Sequence, residues 1–441
     1  MSKTLNTKSI VNKARMKEDF LHFVWKFKLF NTLNLLTTEG ESISIIKSGI
    51  HNHHSGPDFS GASVKIGDEF WSGNVEIHVK SSEWLAHSHQ TNPAYKNVIL
   101  HVVFNNDKEI YLDKPGDLPV MELENYISAD YLEKYKQLTT SKAWIPCASQ
   151  FPSVGKIKTN QFLESLLVNR LQKKSRDIIR IHIETDKDWN ETFYRWISRS
   201  FGFKINSEAF ETLATSIPLK IVKKHSNSIF QVESLLFGQA GFLESDFVEE
   251  YPNKLKKEYA FLAKKYALQS LNPVIWKFSK THPPNFPTKR ISQLAAFLCV
   301  EKSTFSKLLS SNDFSEIKES LGTAPNSYWK NHYRFDKPSS KLLSGSMGDS
   351  SIENLIINGF STLLYTYGQK AENHSLIEKS ISVLEYVPAE SNGIIANWRK
   401  LGFEVSSAKT SQALIELKRE SCEKKKCLSC LYGTELIKSN N

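Results

Sequence analysis

At 441 residues the chain is too long for one hydrophobic core, so two or three domains are expected. Its 40% apolar content can fill a sizeable interior, and its formal charge of +10, spread along the chain, attracts polyanions, nucleic acid first. No run of about 18 apolar residues is present, which excludes a membrane-spanning helix, and the polar first residues lack a secretory core, so a cytoplasmic protein is expected.

Residues 1–16, rich in Lys, Ser and Asn, predict a disordered start. Phe20, Leu21, Phe23, Val24, Phe27 and Leu29–Phe30 recur at helical spacing, so 17–30 predicts an amphipathic helix. Residues 41–49 and 62–67 then predict strands. Gly67-Asp68 predicts a tight hairpin turn into the longest strand, 69–80. A helical turn is expected at 82–87. Residues 97–104, almost continuously apolar, predict a strand buried on both faces. Shorter candidate strands lie at 110–112 and 120–123. From about Ala129 the pattern is helical, with segments expected at 161–183, 189–201, 207–220, 227–237, 252–266, 290–300 and 305–309. A Ser/Gly-rich loop follows near 337–349, then a last helical portion. The organisation expected is a sheet-containing domain over 17–150, a helical domain over 151–345 and a C-terminal helical region over 346–441.

Chemistry-bearing residues concentrate between Gly49 and Phe104, where seven of the thirteen histidines fall. In GNVEIHVK, Glu76, His78 and Lys80 alternate along a strand and share one face, while Val75, Ile77 and Val79 fill the other. Three polar groups on one face of a central strand are costly unless they meet a ligand, a metal or each other. Asp58, in SGPDF before the preceding strand, adds a second carboxylate. Two carboxylates on neighbouring strands can hold one divalent cation, Mg²⁺ or Mn²⁺, and a Lys or His beside it can orient water or stabilise charge on a phosphate. His51, His53 and His54 precede Asp58, His87 and His89 form an His-X-His pair, and His101 lies within the buried strand. Imidazole is a common ligand of transition metals, so a histidine-dependent metal hydrolase is the rival chemistry. His101 is the best single histidine for contacting the site, since a buried imidazole needs a partner.

The Pro57-Asp58 pair, the Glu76–Lys80 strand and the helix–strand–strand–strand–connector–strand order resemble the PD-(D/E)XK nuclease superfamily over roughly residues 17–125. The resemblance implies an α+β fold with a nuclease-like mixed sheet and flanking helices, metal-dependent phosphodiester hydrolysis in nucleic acid, and Asp58 as the first carboxylate. The second half departs from the pattern, because a strict Glu-X-Lys would place Lys where this chain has His78. Either the register is Glu76/His78, or Lys80 serves from one pleat further on. A non-catalytic nucleic-acid-binding or scaffold protein on the same fold is the alternative. The whole chain also resembles an uncharacterised bacterial family sharing GPDF, GNVEIH and NVILHVV.

Two further groups stand out. Cys422, Cys427 and Cys430, spaced Cys-x4-Cys-x2-Cys, can converge on one metal, with Cys147 the expected fourth ligand and zinc or an iron–sulfur cluster the expected occupant. Lys173, Lys174 and Arg176, in a basic segment at 169–180, are candidate phosphate contacts.

Overall fold

The structure is a computed structural model and describes residues 16–52, 54–110, 118–301, 304–310 and 314–439. Two compact units make up the chain: Met1–Thr159 joined by Lys418–Asn441, and Asn160–Leu417. The C-terminal region expected over 346–441 therefore does not stand by itself. Its last residues belong with the sheet, and the rest belongs with the helices that precede it.

The first unit is built on a mixed sheet. Helix α1 (Glu18–Lys26) comes first, followed by β1 (Leu35–Leu36), β2 (Ser42–Lys47), β3 (Ile50–His51), β4 (Phe59–Ile66) and β5 (Glu69–Lys80). After the short helix α2 (Glu83–Ala86) come β6 (Val98–Asn105) and β7 (Val120–Glu122). The strand order is β1-β2-β4-β5-β6-β7, with β3 also paired to β4. Strands up to β5 run antiparallel, and β5, β6 and β7 run parallel. Helix α1 is shorter than its apolar stripe suggests because Lys28, at φ 50°, takes the left-handed conformation that ends a helix. It buries Phe20, Leu21, Val24 and Trp25 in the core that also holds Val75, Ile77, Leu100 and Val102. Residues 1–15, His53 and most of the candidate strand at 110–112 lie outside the described residues.

Two irregularities flank the centre of β5. On the β4 side the register runs Phe59↔Val75 then Ala62↔Gly73, so β4 carries one extra residue, with Gly61 at φ 64°. On the β6 side it runs Asn74↔Val98 then Val75↔Leu100, so β6 carries the extra one. Bulges of this kind turn side chains away from the regular pleat and recur beside active sites. Gly73 lies between them. A Cβ there would stand 2.5 Å from Ile99 Cγ2 and 2.6 Å from the Asn97 carbonyl oxygen. Gly73→Ala is therefore expected to destabilise the protein by roughly 1–3 kcal/mol through forced strand separation. Urea unfolding checks this, and an unchanged midpoint would show that the β5–β6 contact yields freely.

Helix α3 (Ala129–Thr140) and the first turn of α4 (Lys156–Glu184) complete this part of the chain. The second unit is helical. It contains α5 (Trp189–Phe201), α6 (Ser207–Ser216), α7 (Leu219–His225), α8 (Ile229–Gln239), α9 (Glu250–Tyr266), α10 (Pro287–Leu298) and further helices after them. The single helix expected over 207–220 is two, because Pro218 has no N–H to donate and holds Ile217 extended. The Pro-rich turn before α10 does feed a helix, with Arg290 in its first turn. That guanidinium is buried. It stacks on Phe203 at 4.5 Å and donates to Asn285, Gln293 and Ser351. No helix among the described residues is long and apolar enough to cross a membrane.

Candidate active site

Parallel pairing of β5 with β6 sets Glu76 opposite His101 and His78 opposite Val103. Glu76, His78 and His101 therefore share the sheet face turned away from Val75 and Ile77, and all three are buried. Asp58 stands at the entrance to β4. Its loop is pinned by the Asn52 amide, which donates to the Ser55 and Pro57 carbonyls at 3.3 and 3.2 Å. The Asp58 backbone N–H donates to Glu76 Oε2 at 3.1 Å, and its Oδ2 accepts the Ile77 N–H at 2.9 Å. The two carboxylates are thus locked to each other's strands.

Imidazoles complete the group. His78 Nδ1 lies 2.9 Å from His101 Nε2, and His78 Nε2 lies 3.2 Å from His87 Nδ1, so three rings form a continuous chain. Glu76 Oε1 is 3.2 Å from His89 Nε2 and 3.6 Å from His78 Nε2. The connector after β5 supplies His87 and His89, and the His89 ring stacks on Tyr95 at 3.8 Å with Trp84 edge-on to it. Ligand atoms of His78, His87 and His89 lie within 4.8 Å of one another, the one such group of His, Cys, Asp or Glu among the described residues. His89 Nδ1 and His101 Nδ1 are buried without a hydrogen-bond partner among the described residues.

Helix α1 contributes two groups that the sequence reading missed. Glu18 and His22, four residues apart, reach the site together. Glu18 Oε1 is 3.9 Å from His78 Nε2, and His22 Nε2 is 3.1 Å from Asp58 Oδ2. The available signal was an acid–imidazole pair at i and i+4 on the polar side of an amphipathic helix.

Charge is crowded here. Burial, and then the Asp58 charge, push the Glu76 carboxyl up to about 8 and the Glu18 carboxyl up to about 7. His22 is half-buried, and although burial opposes it, the Asp58 carboxylate 3.1 Å away and the surrounding acids raise it above the usual imidazole value. Burial, and then the neighbouring His89 and His87, hold His78 down to about 3. His101 is pushed well below the ordinary range by burial and His78. Burial thus disfavours charge of either sign here, leaving a neutral His78–His101 pair beside two acids that resist ionisation.

Lys80 does not join this group. It is exposed, and its ammonium lies 3.9 Å from Asp107. Of the two registers left open by the sequence, Glu76/His78 is the one whose side chains meet. His54 is exposed, while His51 stacks on Phe59 and sits edge-on to His22. Lys173, Lys174 and Arg176 lie in the second unit, where Lys173 pairs with the buried Glu416 and Lys174 bonds Asn358.

Fold and site together define an α+β protein with a buried histidine–carboxylate group on a mixed sheet. The chain belongs to the family described as Protein of unknown function (DUF2851), whose model matches residues 18–393. That span opens at Glu18 and takes in every residue of the group above as well as Cys147. The chain matches no curated protein and no solved structure.

Proposed function

We propose that the protein is a divalent-metal-dependent hydrolase of phosphodiester bonds in nucleic acid, with Asp58 and Glu76 as carboxylate ligands and His78, backed by His101, beside them. The observation that carries this reading is the convergence of Asp58, Glu76 and Glu18 with five imidazoles in one partly buried group. Two acids kept from ionising by burial, and then by the Asp58 charge, would be stabilised by a cation, and the partnerless buried nitrogens His89 Nδ1 and His101 Nδ1 mark a polar setting built for more than packing.

Oxygen and imidazole donors together suit Mn²⁺ or Zn²⁺ better than Mg²⁺, which favours oxygen and retains its water. Such an ion, when bound, supplies an activated water and neutralises charge on a phosphoryl oxygen. The chain's own groups do the remainder. Asp58 and Glu76 are held by each other's backbone, so little reorganisation is needed to present their oxygens. The hydrogen bond between His78 Nδ1 and His101 Nε2 fixes the His78 ring, so its Nε2 is presented beside Glu76, Glu18 and His87 as a neutral donor atom for the ion. The substrate class rests on the +10 charge and on the resemblance of the element order over 17–125 to PD-(D/E)XK nucleases.

A second reading, a zinc hydrolase of small esters, is favoured by the His78/His87/His89 group alone. Protein stripped with chelator and reloaded with Mn²⁺, Mg²⁺ or Zn²⁺ separates the two. Cleavage of DNA or RNA with Mn²⁺ strongest, at least tenfold above Mg²⁺, supports the first. Zn²⁺-dependent turnover of a small ester with inert oligonucleotides supports the second. Salt-sensitive oligonucleotide binding without cleavage under any metal assigns the fold to a non-catalytic binding role.

A further inference from the structure

Four of the five cysteines lie in the first unit, and the fifth, Cys299, lies in the second. None is in a disulfide. Cys147 sits in the turn that follows α3 and is buried, as is Cys430 at the start of the C-terminal helix Leu431–Lys438. Cys422 and Cys427 are half-buried.

The tail is shaped to bring its cysteines inward. Residues Leu417–Cys422 form a wide helical turn, and Lys425, at φ 50°, reverses the chain after it. A single tight turn over Cys427–Ser429 then leads into the last helix. Burial raises the Cys430 thiol, and the Gly433 and Tyr432 N–H groups, which donate to its sulfur, oppose that only in part. A Cβ on Gly433 would stand 2.2 Å from the Cys427 carbonyl oxygen, so a side chain there would drive the Cys427 turn off the helix. The Cys147 end is tied to the same tail. Phe151 packs on Tyr432 with ring centroids 4.7 Å apart, the Lys134 ammonium donates to the Ser439 carbonyl, and Cys147 lines one cavity with Leu436.

With no disulfide among them, and with the tail returned to the Cys147 turn by the Phe151–Tyr432 and Lys134–Ser439 contacts, the four thiols are a donor set suited to a thiophilic metal.

We propose that Cys147, Cys422, Cys427 and Cys430 form one four-thiolate metal centre, an iron–sulfur cluster in preference to a single zinc ion, that fastens the C-terminal tail to the end of α3. The preference comes from spacing. A zinc ion with bonds of about 2.3 Å draws its four sulfurs to roughly 3.8 Å of one another. The histidine group is the one set of three ligand atoms within 4.8 Å among the described residues, so no three of these sulfurs are that close. A cluster core standing between its thiolates needs the wider separation. Loading the site releases the thiol protons and couples metal binding to folding of the tail.

The test is metal analysis of the full-length protein, purified without oxygen, together with its absorption spectrum. A brown protein carrying iron and acid-labile sulfide, bleached by dithionite, is expected. Cys147→Ser and Cys427→Ser should each lose the iron to background and lower Tm, whereas Cys299→Ser should retain both. Colourless protein with one equivalent of zinc, lost in the same two variants, upholds the four-thiolate centre and overturns the cluster. Where a serine variant does not fold, thiol labelling of the wild type decides. Protection of four thiols until a chelator or acid is added supports the centre. Metal-free protein whose four thiols label at once overturns it.

Discussion

Glu76→Gln is expected to abolish Mn²⁺-dependent cleavage of nucleic acid while leaving the fold in place. Glutamine retains the size of the side chain and an oxygen to accept the Asp58 N–H, so the link between β4 and β5 survives. What it removes is the negative charge that a metal ligand must carry. The loss should exceed about a hundredfold in kcat/KM, beyond what removal of an outer partner of a ligand produces. Asp58→Asn should match it, because asparagine can still accept the Ile77 N–H. His101→Phe, which leaves His78 without its buried partner, should cost less than either ligand change. Lys80→Met is the informative control. Its ammonium pairs with Asp107 at the surface, so turnover should change by less than about tenfold, the lower end of what an outer partner contributes. Single-turnover assays on one oligonucleotide with all four variants decide the matter. Wild-type rates in Glu76→Gln would remove the catalytic assignment, and an inactive Lys80→Met would move the site one pleat along β5.

The second large effect is on stability as a function of pH in metal-free protein. Between pH 4.5 and about 8 the folded chain retains a proton on Glu76 that the unfolded chain has released, so rising pH removes stability throughout that window. Glu18 acts with the same sign up to about 7, and His22, raised by Asp58, adds to it above its ordinary 6.5. His78 and His101 act the other way. They stay neutral in the fold, while in the unfolded chain they charge below 6.5, so the His78 contribution grows from about pH 3, His101 acts with the same sign, and both are complete by about 6.5. Above pH 6.5 the losses alone remain. In chelator the unfolding free energy, and with it Tm, should therefore fall from pH 6.5 to 8, the free energy by at most about 2 kcal/mol from Glu76, since one pH unit per proton is worth at most about 1.4 kcal/mol. Glu76→Gln should flatten that fall. Added Mn²⁺ should raise Tm most at pH 8, where it competes with the fewest protons. A Tm that climbs from pH 6.5 to 8 in chelator, or an identical slope in Glu76→Gln, would refute the crowded-carboxylate account.

Much of the architecture was legible in the chain because it follows from local periodicity. Alternation along 69–80 specified β5 to the residue, and its even-numbered face carries Glu76 and His78 as the pleat requires. The continuous apolar run of β6 announced burial on both faces, and burial is why His101 needed a partner. Helix α5 was read without error from its apolar stripe, whereas 207–220 was read as one helix because the apolar pattern carries across Pro218 and hides the break.

Composition and short-range pattern by themselves determined the α+β class, the long polar–apolar strand, and which residue types were available for chemistry. Tertiary structure alone decided which of those residues meet. Parallel pairing set His101 against Glu76, bulges in β4 and β6 flank β5 just before Glu76, and packing of α1 carried Glu18 and His22 to the same group. It also placed Lys80 at the surface and returned the tail cysteines to Cys147 across more than half the chain. The physical reason is range. A side chain's face is set by neighbours within one turn or pleat, but the company it keeps across the fold depends on register, bulges and helix docking, which no local spacing records.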